Sequence, residues 1–131
     1  MSQFTVYLID DEPELLDLLA EVAEESGLRA QSYTRASRFF EQVTQFETNS
    51  ILVLDLCIPE MDGIEVMGKL AQMENPPALL LISGREAGLL HSAEKLGRAR
   101  NLSIIGSLTK PMIIGEFQEM LEKYVSAKTK Q

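Results

Sequence analysis

Five residues of this 131-residue chain have the types and placement to do chemistry together: Asp10, Asp11, Asp55, Ser83 and Lys110. Each closes or closely follows a short apolar run: FTVYLI (4–9), ILVL (51–54), ALLLI (78–82) and LSIIGSL (102–108). Runs of that length, β-branched or leucine-rich, read as buried strands. Any one Asp or Ser at a strand end is more often a turn former or a helix cap. Three carboxylates, a hydroxyl and an ammonium at the ends of four such runs are a different matter. Packed together, the acids repel one another and raise each other's pKa, which a divalent cation relieves. Hard oxygen donors without a His or Cys cluster indicate Mg²⁺. With phosphate oxygens neutralised by such an ion, one carboxylate is left to act as a nucleophile, while an ammonium and a hydroxyl take the remaining oxygens. That chemistry is phosphoryl transfer to a carboxylate.

The elements that must position these residues alternate strictly. Pro13 opens a helix whose apolar stripe is Leu15, Leu16, Leu19, Val22 and Ala23, stopped by Gly27. RAQSY (29–33) reads as an edge strand, and Phe39, Phe40, Val43 and Phe46 mark a second helix. Asp62 and Glu65 have the spacing of a capping box for a third helix carrying Ile64, Met67, Leu70 and Ala71, with Pro76-Pro77 ending the segment. Leu89, Leu90, Ala93 and Leu96 place a fourth helix at about 86–99. Ile113, Ile114, Phe117, Met120, Leu121 and Tyr124 give a fifth. Five strand–helix units in alternation argue for an α/β fold with a parallel sheet covered on both faces. One domain over 1–125 is expected, followed by a polar tail or the start of a linker at 126–131.

Composition narrows the function. The net charge of −8 argues against nucleic-acid binding by this domain. Residues 1–83 hold 15 acids and 4 bases, and residues 84–131 hold 5 acids and 8 bases. No apolar run approaches the roughly 20 residues of a bilayer span, and the opening residues are not expected to act as a signal peptide. The single cysteine suits a reducing cytoplasm and leaves no internal disulfide. With one His and one Cys, a zinc site is not expected.

The motifs LIDDE (8–12), LVLDLCIPEMDG (52–63), LISG (81–84) and LTKP (108–111) together resemble the receiver domain of two-component response regulators, over roughly residues 4–125. The resemblance implies a flavodoxin-like doubly wound fold with strand order 2-1-3-4-5 and five helices. It implies Asp55 as phosphoacceptor, with Mg²⁺ held by Asp11, Asp55 and the backbone carbonyl of Cys57, and by Asp10 mainly through water. Lys110 is implied to pair with Asp55 or its phosphoryl group, and Ser83 to bond that group and help switch the fourth helix. The Lys110-Pro111 peptide is expected to be cis, and Pro59 and Gly63 to shape the turn into the third helix. The implied partners are a histidine kinase or phosphotransfer protein as donor and a downstream effector, with no membrane contact. Homodimerisation is common in the family. The implied activity is self-catalysed phosphorylation and slow dephosphorylation rather than metabolic catalysis.

Two features depart from the family's pattern. Ser107 stands where a switch aromatic is usual, three positions before Lys110, and Lys110 follows Ser83 by 27 positions, several more than usual. The segment from His91 to Pro111 resembles receivers joined to cyclic-di-GMP phosphodiesterase domains. Cys57 and Arg85 fall at positions that in the family tune dephosphorylation. By residue type alone, Cys57 reads as a buried or half-buried small hydrophobe, and His91 as an exposed helical residue. Lys95, Arg98 and Arg100 read as a solubilising cluster or an acidic-partner dock. The missing aromatic leaves open a phosphorylation-independent docking or dimerisation module. A haloacid-dehalogenase-type phosphatase would need a general acid where Cys57 stands, and a flavodoxin would need a phosphate-cradling loop where Asp10, Asp11 and Glu12 stand.

Overall fold

The computed structural model describes residues 3–58, 61–84 and 87–130. Its elements are β1 (Thr5–Ile9), α1 (Pro13–Glu25), β2 (Arg29–Tyr33), α2 (Ala36–Gln42), β3 (Ser50–Asp55), α3 (Gly63–Ala71), β4 (Ala78–Ser83), α4 (Ala87–Ala99), β5 (Ile104–Thr109) and α5 (Ile114–Thr129). All strand pairs are parallel, in the order β2-β1-β3-β4-β5. The doubly wound, flavodoxin-like fold with five strands and five helices is therefore present, with β2 at an edge as expected.

Strand alternation sends successive side chains to opposite faces and builds two cores. Val6, Leu8, Ile51, Val53, Leu80 and Ile82 pack with Leu16, Leu19, Phe117 and Leu121 of α1 and α5. Ile9, Leu52, Leu54, Leu79 and Leu81 pack with Phe39, Val66, Met67, Leu70 and Ala93 of α2, α3 and α4. The central strands β3 and β4 are buried along their whole length, which accounts for their near-continuous Leu, Ile and Val. At this strand order the chain reverses its winding direction at β1, so a crevice opens between the carboxyl ends of β1 and β3.

Local signals acted as their chemistry requires. Pro13 stands in the first turn of α1, and Gly27 takes φ +87° after it. The Asp62 side chain accepts a hydrogen bond from the Glu65 amide at 2.9 Å, capping α3. The Lys110-Pro111 peptide is cis. The long stretch from Ser83 to Lys110 accommodates the 13-residue α4. Asn101, at φ +64°, then turns the chain into β5; short polar Asn tolerates that left-handed conformation.

Three expectations need correction. Val43 and Phe46 have helical spacing, but α2 ends at Gln42 and Val43 is extended. Phe46 joins the core by its ring, 5.4 Å from Tyr7 and 5.8 Å from Phe39. Helix α3 ends at Ala71, ahead of Pro76-Pro77, through turn bonds from Gln72 and Met73. Helix α5 continues four residues past 125, where Thr129 Oγ1 bonds back to Val125 O and Ser126 O.

Candidate phosphoryl-transfer site

The carboxyl edge of the sheet gathers the residues that the strand ends promised. Asp10 and Asp55 are buried to within a few per cent, and Ser83 is fully buried. Asp11 is exposed at the rim. Asp10, Asp11 and Asp55 each bring a carboxylate oxygen within 4.8 Å of the others.

Every buried charge here is held by a specific contact. Asp55 Oδ1 accepts from the Cys57 amide at 2.9 Å, and Asp55 Oδ2 from Lys110 Nζ at 3.0 Å. Asp10 Oδ1 accepts from the Glu12 amide at 2.8 Å. Asp10 Oδ2 lies 3.1 Å from Lys110 Nζ, an ion contact without hydrogen-bond alignment. Lys110 enters the crevice because β5 pairs with β4 and its own amide donates to Ser83 O at 2.8 Å. Strand β3 is continued past Asp55 by the Leu56 amide, which donates to Ile82 O at 2.9 Å.

Burial is the main cause of an Asp10 pKa raised to about 6. The Glu12 amide opposes it, the Asp55 charge adds to it, and Lys110 lowers it in turn. Mutual repulsion of the acids is thus the lesser part of the effect, behind desolvation. Burial also works against the Lys110 ammonium, but its contacts with Glu12, Asp55 and Asp10 outweigh that and leave its pKa above the ordinary lysine value.

Two buried atoms lack a hydrogen-bond partner among the described residues: Asp10 Oδ2 and Ser83 Oγ. An orphaned carboxylate oxygen beside two further carboxylates fits a hard divalent cation, and an orphaned hydroxyl fits an added oxygen ligand. The donor set is all oxygen, as Mg²⁺ requires.

Glu12 is the residue that sequence reasoning missed. Its Oε1 accepts from Lys110 Nζ at 2.8 Å, across 98 residues of chain. The only sequence signal was a third acid directly after Asp10-Asp11.

Other positions stand apart from the cluster. Cys57 is exposed, not buried or half-buried: the chain leaves the sheet at Leu56, so its amide faces Asp55 while its side chain turns outward. Ser107 lies on β5 and lines a groove of about 460 Å³ with Leu90 of α4 and Met120 and Lys123 of α5. Arg85 and Pro59 lie outside the described residues. His91 is exposed on α4. Arg98 pairs with Glu94 of its own helix at 3.7 Å. Gly63 is buried in the first turn of α3, its amide donating to Leu56 O at 3.0 Å. A Cβ there would stand 2.8 Å from the Leu56 Cα, so the turn from the site into α3 needs glycine.

Comparison with known proteins agrees with this fold. The family profile described as "Response regulator receiver domain" matches residues 6–122. The sporulation initiation phosphotransferase F of Bacillus subtilis is 25% identical over 130 residues, covering 98% of this chain and 99% of that protein. The response regulator protein TmoT of Ectopseudomonas mendocina is 33% identical over 83 residues, 63% of this chain but only 37% of TmoT. A response regulator structure from Colwellia psychrerythraea superposes with a TM-score of 0.82 at 33% identity, covering 99% of this chain and all of that one.

Proposed function

The chain belongs to the response regulator receiver family, and from that premise we propose that Asp55 accepts a phosphoryl group from a phosphohistidine and thereby switches a partner-binding surface. The carrying observation is the buried Asp55 carboxylate, with one oxygen on the Cys57 amide and the other on the Lys110 ammonium, beside a second buried acid.

Asp10, Asp11, Asp55 and the Cys57 carbonyl would hold Mg²⁺, which supplies charge neutralisation for the incoming phosphate oxygens. The remaining work belongs to the chain. The Cys57 amide and Lys110 keep the Asp55 carboxylate fixed and ionised at the crevice. In the transfer, the donor's P–N bond breaks with its electron pair returning to the imidazole nitrogen. A P–O bond forms to an Asp55 carboxylate oxygen. Lys110 then bonds an oxygen of the transferred group, and Ser83 Oγ–H finds there the partner it otherwise lacks.

The donor is a histidine kinase or a phosphotransfer protein. The response passes through Ser83 to α4 and to the groove lined by Ser107, which biases a two-state surface toward an effector. Ser107 in place of an aromatic favours a second reading, a docking module indifferent to phosphorylation.

Intact-mass spectrometry after incubation with acetyl phosphate separates the two. The phosphoacceptor reading expects one phosphoryl adduct that requires Mg²⁺ and is absent from Asp55→Ala. Folded protein that binds Mg²⁺ yet gains no adduct would leave the docking reading.

A further inference from the structure

Three acids, not one, surround Lys110 Nζ: Glu12 Oε1 at 2.8 Å, Asp55 Oδ2 at 3.0 Å and Asp10 Oδ2 at 3.1 Å. Glu12 and Asp55 accept aligned hydrogen bonds from it, while the Asp10 contact is ionic without that alignment, and the ammonium shares its three protons among all its partners. A phosphoryl oxygen on Asp55 competes with these carboxylates for Lys110, and the one that yields most readily is the one that lets go.

The three are not equally placed to do so. Asp10 and Asp55 have side chains 2% and 3% exposed, and an unpaired charge left at either position is costly. The Glu12 side chain is 59% exposed at the rim of the crevice, where water replaces a lost partner at little cost. Glu12 is also fixed from behind: it stands as the N-cap residue of α1, and its own amide is bonded to Asp10. Its backbone is held, and its exposed side chain is the part left to move.

Resting on the phosphoacceptor reading, we infer that Glu12 is a positioning residue that holds Lys110 in the unphosphorylated protein and releases it to the phosphoryl group on Asp55. Glu12 then opposes phosphorylation, because its contact with Lys110 exists before transfer and is given up during it. Removing the contact speeds transfer by about two- to fivefold, the range that a partly exposed ion pair supports.

The test uses the full chain with acetyl phosphate, saturating Mg²⁺, and three variants. Glu12→Ala removes the carboxylate. Glu12→Asp keeps the charge but shortens the reach, and Glu12→Gln keeps the length without the charge. Adduct formation is timed by intact mass, and the ¹⁵N-labelled Lys110 ammonium signal is recorded before and after phosphorylation.

Glu12→Ala and Glu12→Asp are expected to phosphorylate about two- to fivefold faster than the wild type, with Glu12→Gln between them. Their Lys110 signals should differ from the wild type before phosphorylation and coincide with it afterwards. Unchanged Lys110 signals in the unphosphorylated variants would overturn the inference. So would a Glu12→Asp rate equal to the wild type beside a fast Glu12→Ala, since rim charge alone would then explain the effect. Absence of an adduct from the wild type would sink the phosphoacceptor reading and, with it, the release step. The unphosphorylated spectra would still report whether Glu12 holds Lys110.

Discussion

Asp10 carries the sharpest residue-scale consequence. A buried carboxyl whose pKa rises from 3.8 to about 6 is protonated in the folded protein over a pH range where the unfolded chain has released its proton. The metal-free protein therefore loses stability from this group as pH rises from about 4 to about 6, and regains it on acidification. Mg²⁺ competes with that proton, so its stabilising effect should be large at pH 7.5 and small at pH 5. Thermal melts at both values, with and without Mg²⁺, read this directly; equal Mg²⁺ shifts at the two pH values would contradict it. Asp10→Asn should raise the metal-free melting temperature at pH 7.5 and lose most of the Mg²⁺ shift, a trade of stability against function. Asp10, Asp55 and Lys110 were legible because each ends an apolar run, and a parallel sheet brings strand ends to one edge. The Glu12–Lys110 contact was not, since the direction of an exposed side chain follows from tertiary geometry rather than pattern.

Among the elements, the turn from β3 into α3 is the tightest joint near the site. Gly63→Ala would press a methyl group against the Leu56 backbone. Overpacking of that kind costs about 1–3 kcal/mol. Because Leu56 and Cys57 directly follow Asp55, the same variant should also slow adduct formation, with denaturant unfolding and intact mass as the two measurements. Normal stability together with a normal rate would show that the turn relaxes freely. The core face of α2 offers a second prediction. Phe39 is fully buried among Tyr7, Tyr33, Phe40 and Phe46, so Phe39→Ala should cost about 3–5 kcal/mol in denaturant unfolding. Spacing revealed that these phenylalanines belong to the core but not which element carries Phe46. Ring–ring contacts gather aromatics across a helix end as readily as along a helix. Capping chemistry was more reliable: Asp62, Pro13 and Gly27 marked their boundaries because each answers a local need of the backbone.

For the whole molecule, the two-faced sheet turns an uneven charge distribution into a functional field. The acids that dominate residues 1–83 include the three at the site, and Lys110 is the cation set among them. An anionic small donor meets like charge on approach, which salt screens. At saturating Mg²⁺, raising ionic strength from about 0.02 to about 0.15 M should therefore speed phosphorylation by acetyl phosphate. A slower rate would mean that the local cations dominate the approach. Strand order, two-sided cores and the crevice were legible from the alternation of elements and the family motifs. The consequence of Ser107 was not, because a groove between α4, β5 and α5 is a property of packed elements. The central claim is that the phosphoryl group resides on Asp55, and borohydride trapping followed by peptide mass spectrometry tests it most directly. Borohydride reduces an acyl phosphate to the alcohol, so homoserine should appear at position 55 and only there in protein treated with Mg²⁺ and acetyl phosphate. Homoserine at another acid, or an adduct that resists reduction and maps to a hydroxyl such as Ser83, would contradict the account.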